Sequence, residues 1–169
     1  MNSEDLNYKS VELEETYIRK ETQDYNYSDE DTLLMDILHH SDDVGLCMRN
    51  IGFYLEEIGE WHDWTKIEYF EEFKKDVLER LETPEFKERD WYNIHTKLER
   101  HHINANAPSD VNLFDVLEMM VDCIVAGKSR TGSVNDSFLV LSQSVLNTAY
   151  WNTVKLLKDK IILIDDEEE

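Results

Sequence analysis

The sequence predicts an all-α fold, and three observations carry that prediction. Apolar residues recur at spacings of three and four through five segments. Capping signatures, glycines and a proline punctuate those segments where helices should start and stop. Nothing between them alternates polar with apolar residues as a half-buried strand does, and no internal repeat or low-complexity linker interrupts the pattern.

Residues 1–27 are polar and charged, with Tyr8, Tyr17, Tyr25 and Tyr27 scattered through them. Val11, Leu13 and Tyr17 fit either one short helix docked on the core or a mobile arm. The folded domain is expected over residues 28–164. Ser28-Asp29-Glu30-Asp31 reads as a capping box. Leu33, Leu34, Ile37, Leu38, Val44, Met48, Ile51, Leu55 and Ile58 then form a helical stripe, and Gly59 supplies a left-handed stop. This segment is either one long helix or two broken between His40 and Asp43. A second helix is expected over 65–81, with Thr65 and Glu68 as its capping pair and Ile67, Phe70, Phe73, Val77 and Leu81 as its inner stripe. Thr83-Pro84 opens a third, which carries Phe86, Trp91, Ile94 and Leu98 and ends near His102. Residues 104–110 read as a loop. A strongly apolar helix follows over 112–126, stopped by Gly127, and Ser133 to Asp136 opens a last helix over about 137–158. Ile161 to Ile164 is a short apolar run, and residues 165–169 are a solvated acidic tail.

The charge balance narrows the functions. Seventeen Lys and Arg stand against thirty-eight Asp and Glu, a formal net charge of −21. Such a surface repels phosphate backbones and anionic membranes, so direct nucleic-acid binding and membrane binding are not expected. A bound cation or a basic protein partner suits this charge better. Residues 1–24 hold no apolar run, and no segment reaches the roughly 20 apolar residues of a membrane span. Cys47 and Cys123 read as two free thiols among apolar residues. The expectation is a soluble, cytoplasmic protein, with enough exposed Trp and Tyr to allow a homodimer.

Six histidines fall at four places: His39-His40, His62, His95 and His101-His102. His62 is followed directly by Asp63 at the junction of two expected helices, where an imidazole and a carboxylate can face one ion. First-row divalent metals accept that mixture of nitrogen and oxygen donors. Upstream, His40 and Val44 form a His-x-x-x-Val step on the preceding helix. Downstream, Asp122 interrupts the apolar run from Val116 to Val125, where an unpaired carboxylate would cost several kcal/mol to bury. Three helices thus each offer a ligand type in an odd place.

In these residues, from about Leu38 to Arg130, the sequence resembles the HD-domain superfamily of metal-dependent phosphohydrolases. The resemblance extends to small phage and bacterial proteins in which paired histidines precede the final aspartate helix, the place of His101-His102. It implies an HD-like bundle of five or six helices and a divalent metal ion (Mn, Fe, Ni, Co or Zn, with Mg also admissible) held by His40, His62, Asp63 and Asp122. Asp63, His101, His102 and Lys66 would carry catalysis, with Lys66 and Arg130 neutralising the phosphate of a small phosphorylated substrate, a nucleotide above all. His101 or His102 would bind a second metal or the phosphate, or protonate the leaving oxygen. Trp61 and Trp64 flank the His-Asp pair where the superfamily carries small or aliphatic residues.

Blander readings stand beside this one. His62-Asp63 also reads as a helix cap next to a surface histidine, His95 as a structural histidine, and His101-His102 as imidazoles favoured by a helix C-terminus. Glu56, Glu57 and Glu60 spell the E-E-x-x-E of MazG-like nucleotide pyrophosphatases, but Glu118 and Asp122 are one residue too widely spaced to complete that site. A non-enzymatic alternative is an acidic, DNA-mimic-like protein that inhibits or regulates a basic partner through Glu68, Glu71, Glu72, Asp76 and Glu79.

Overall fold

A computed structural model describes residues 11–20, 29–78 and 90–164. The chain is almost entirely helical, the all-α class that the apolar spacing predicts. Seven helices run in order among the described residues: α1 (Glu30–Glu60), α2 (Trp64–Glu68), α3 (Phe70–Leu78), α4 (Asp90–Leu98), α5 (Ile103–Asn106), α6 (Leu113–Thr131) and α7 (Gln143–Lys160). A single 3₁₀ turn, Asp136–Leu139, lies between α6 and α7. No described helix is long and apolar enough to cross a membrane. The chain divides into two compact units, one of residues up to Ile58 with those from Leu156 onward, the other Gly59–Lys155.

In the first unit, the segment read as helix or arm is extended over β1 (Thr16–Ile18). It pairs in parallel with β2 (Ile161–Leu163), Thr16 opposite Ile161 and Ile18 opposite Leu163. The reason is local: each strand is three residues of β-branched, aromatic or leucine side chains, and each satisfies the other's backbone. Leu13 and Thr16 are buried. Arg19 clamps Asp43 through its backbone N–H (2.9 Å) and its guanidinium (2.6 and 3.0 Å), and that contact holds the Asp43 carboxyl below its usual range. α1 is one unbroken helix of 31 residues through His40 to Asp43. Its start is fixed by Asp29, whose carboxylate accepts the Thr32 N–H at 2.8 Å. The proposed Ser28 cap lies outside the described residues, as do Leu81, the Thr83-Pro84 start and the acidic tail.

The second unit is built around Ile103, Val111, Val116, Met119 and Ala149, with Cys123, Leu141 and Val145 packed against them. α6 starts in a capping box: Asn112 accepts the N–H groups of Phe114 (2.8 Å) and Asp115 (3.2 Å), and Asp115 accepts the Asn112 N–H (2.8 Å). α7 is tied to that start by Thr153, which accepts the Leu113 N–H at 2.8 Å, and by Asn152, which donates to the Val111 carbonyl at 2.8 Å. Several boundaries differ from those expected: α4 ends at Leu98 rather than near His102, and α7 begins at Gln143 rather than near 137, after the 3₁₀ turn. α6 continues past Gly127 to Gly132, which takes the left-handed conformation (φ 76°). Gly127 is needed for another reason: a Cβ there would lie 2.6 Å from the Ser133 carbonyl oxygen. The expected helix over 65–81 is broken at Tyr69, and the expected loop over 104–110 begins inside the short α5.

Candidate metal centre

The turn before α2, the end of α4 with the residues after it, and one face of α6 converge in the second unit. Trp61 to Asp63 form a tight turn, with the Trp64 N–H bonded to the Trp61 carbonyl at 3.2 Å. Asp63 sits at φ 59°, ψ 21°, the one non-glycine described residue with positive φ. Aspartate and asparagine tolerate this region best, at a cost of order 1–3 kcal/mol. Asp63 occupies the N-cap position of α2, yet its carboxylate makes no capping bond. That excludes the simple cap reading. The carboxylate turns instead toward three imidazoles: Oδ2 lies 3.4 Å from His62 Nε2, and Oδ1 lies 3.4 Å from His95 Nε2 and 3.7 Å from His101 Nε2. Lys66 forms an ion pair with Oδ2.

α6 carries two working faces. Val116, Met119 and Cys123 enter the core. Asp115, Glu118 and Asp122, spaced three and four apart, share the neighbouring face. Glu118 Oε1 lies 3.0 Å from His62 Nδ1 and 3.1 Å from His101 Nδ1, while Asp122 Oδ1 lies 3.4 Å from His62 Nε2. Asp115 holds the Glu99–His102 turn in place. Arg100 donates to both its oxygens, at 2.7 and 2.8 Å, a two-point clamp on a buried carboxylate. His101, directly after Arg100, is thereby placed almost wholly inside, and its ring lies 4.4 Å from that of His62. His102 Nε2 meets His95 Nε2 at 2.7 Å, and His95 Nδ1 meets Thr65 Oγ1 at 2.6 Å.

These neighbours divide the protons unevenly. Asp122, Asp63 and Glu118 push the His62 pKa up to about 11. Burial alone would raise the Asp63 carboxyl, but His62 and Lys66 hold it well below the usual range. Burial likewise works against ionised Glu118 and is outweighed by His101 and His62, and His62 lowers Asp122. His95 and His102 move the other way, to about 3 and about 4, because burial disfavours their charged forms and neighbouring cationic groups add to it. These neighbours favour His62 as an imidazolium among carboxylates and His95 and His102 as neutral imidazoles.

Two sets of donors result: His62, His101 and Asp122, and next to them Asp63, His95 and His102. Within each set one donor atom per residue lies within 4.8 Å of the others. Donors about 2.1 Å from a common ion are at most about 4.2 Å apart, so small rotations suffice. Asp63 Oδ1 and both ring nitrogens of His101 are buried without an aligned hydrogen bond. Buried polar atoms without partners are rare and costly; a divalent cation in each set would engage Asp63 Oδ1 in one and one ring nitrogen of His101 in the other, while His101 Nδ1 lies 3.1 Å from Glu118 Oε1. The donor chemistry fits such an ion.

Of the residues singled out by sequence, His62, Asp63, Asp122, His101 and His102 come together here. Lys66 is engaged with Asp63. Arg130 is exposed in the last turn of α6, eight residues and about 12 Å along the axis beyond Asp122. His40 is exposed on α1 in the first unit and belongs to neither set. Asp122 is less enclosed than its apolar neighbours suggest, with 30% of its side chain exposed against 14% for Glu118. Sequence reasoning missed His95 and Glu118. Glu118 had a signal, standing one helical turn from Asp122 on the same face. Comparison with protein-family models, with curated proteins and with solved structures finds no match to this chain.

Proposed function

We propose that the chain is a metal-dependent phosphohydrolase of the HD kind, acting on a small phosphate ester of the nucleotide class. The observation that carries this reading is the pair of adjacent nitrogen-and-oxygen donor sets with Asp63 turned between them. A divalent ion bound there supplies Lewis acidity toward a phosphoryl group and lowers the pKa of water toward neutrality. His62, His101 and Asp122 hold one such ion, and Asp63, His95 and His102 can hold a second. The reading does not need His40. Proton donation to the leaving oxygen falls poorly to His102, because burial and the neighbouring His101 disfavour its charged form. A ligand role suits it better. Lys66, paired with Asp63 in the metal-free chain, would neutralise phosphate charge once Asp63 engages a cation. The net charge of −21 favours a small substrate over a polyanionic one.

The acidic-mimic alternative loses a member of its charged row. Asp76 is 3% exposed and accepts the Trp91 indole N–H, Glu71 is paired with Lys74, and Glu79 lies outside the described residues.

The test is hydrolysis of a nucleotide and phosphomonoester panel by protein loaded with manganese. Turnover should fall at least about 100-fold in His101→Gln, the order expected for losing a group that stabilises transition-state charge. Metal-loaded wild type that hydrolyses no phosphate ester, or His101→Gln with wild-type turnover, would overturn the hydrolase reading.

A further inference from the structure

We infer that Thr65, backed by Glu99, is a positioning residue that fixes His95 as the Nδ1–H tautomer and so turns a bare Nε2 into the metal centre. This deepens the metal reading above and rests on it for its purpose. Thr65 and Glu99 stand behind His95 in a buried line, and the proposed chemistry uses neither of them. Thr65 is 1% exposed, His95 3% and Glu99 6%. Glu99 Oε1 accepts the Thr65 backbone N–H at 2.9 Å and lies 2.6 Å from Thr65 Oγ1, which in turn lies 2.6 Å from His95 Nδ1.

A hydroxyl has one hydrogen to give, so the direction of the line can be worked out. Oε1 already receives the Thr65 amide hydrogen, which marks it as a bare oxygen and the natural acceptor of the Thr65 hydroxyl hydrogen as well. The reverse direction, with a proton on Oε1, would set that proton against the amide N–H. With its hydrogen given to Glu99, Thr65 Oγ1 is left only as an acceptor toward His95, so Nδ1 carries the ring proton. Nε2 is then unprotonated where it faces Asp63 Oδ1 at 3.4 Å and His102 Nε2 at 2.7 Å. His102 must supply the hydrogen between the two Nε2 atoms, and a cation entering this set must displace it. Histidine ligands generally have their second nitrogen fixed in this way, and losing such a partner costs 10–100-fold in metal affinity.

The tautomer is read by ¹⁵N NMR of histidine ring nitrogens in full-length, chelator-treated protein, and zinc affinity by titration of the same samples. Wild type should show His95 with a protonated Nδ1 and a bare Nε2. Thr65→Val, nearly the same shape, should give mixed tautomers and about 10–100-fold weaker zinc binding at this set, while Thr65→Ser restores both. A protonated Nε2 on His95 in the wild type overturns the inference and needs no variant to fold. So does Thr65→Val with wild-type tautomer and affinity. Wild type that binds no zinc counts against the metal reading alone, since the tautomer is measured without the ion.

Discussion

Asp63 divides its work between backbone and side chain. Its left-handed backbone closes the turn into α2, and its carboxylate, unused as a cap, faces His62, His95 and His101. Sequence showed the His-Asp pair but not this division, because left-handed geometry at a non-glycine residue leaves no mark in apolar spacing. Glu118 and His95 were hidden for a related reason. Among thirty-eight acidic residues one more glutamate on a helix reads as solvated, and a lone histidine reads as structural. The opposed histidines give a prediction for metal-free protein. The folded pKa of His62 lies above its unfolded value of 6.5, so its contribution is complete below 6.5 and is lost as pH rises toward about 11. His95 and His102 have folded values of about 3 and about 4. The unfolded chain takes up their protons first as pH falls from 6.5, so stability is lost on that side too. Chelated protein should therefore have its highest urea midpoint near pH 6.5, falling toward both pH 4 and pH 10. A midpoint that climbs steadily from pH 6.5 to 10 would contradict the assignment for His62.

Helix α6 shows how one element serves both fold and site. Its apolar positions were legible, and so was Asp122, but the capping box at Asn112 and the continuation past Gly127 were not. Gly127 was read as a stop because glycine ends helices more often than it makes room for a neighbour, and only the approach of Ser133 shows the second use. Gly127→Ala should thus destabilise despite alanine's higher helix propensity. The clash costs about 1–3 kcal/mol, or a melting temperature lower by roughly 2–10 °C for a chain of this size. An unchanged or higher melting temperature would mean that the 132–134 turn yields freely. The Arg100–Asp115 clamp makes a further demand. Asp115→Asn takes away the buried one of two carboxylates on Arg100 and leaves it only the exposed Asp110, a loss of about 1–3 kcal/mol. It should also weaken metal binding, since Arg100 precedes His101 and His102. Wild-type melting temperature and metal affinity in that variant would show that the turn is held by other contacts.

At the scale of the whole molecule, the helical class followed from apolar spacing because most of the chain's backbone hydrogen bonds are local. The β1–β2 pair did not, since it joins residues at opposite ends of the sequence and each strand is too short to show alternation. The net charge of −21 does not show where carboxylates gather. Burial decides that: Asp76, placed by spacing on an outer row, points inward. A cation that binds only the folded chain stabilises it by about 2.7 kcal/mol at a hundred times its Kd, so manganese should raise the melting temperature of chelated wild type. The most direct measurement is metal content per chain by elemental analysis after manganese loading and desalting, in wild type beside Asp63→Asn. Asparagine suits the left-handed backbone while removing the carboxylate. The account predicts one to two ions per wild-type chain and fewer in the variant. Wild type that retains no metal, or a variant that retains as much as wild type, would contradict it.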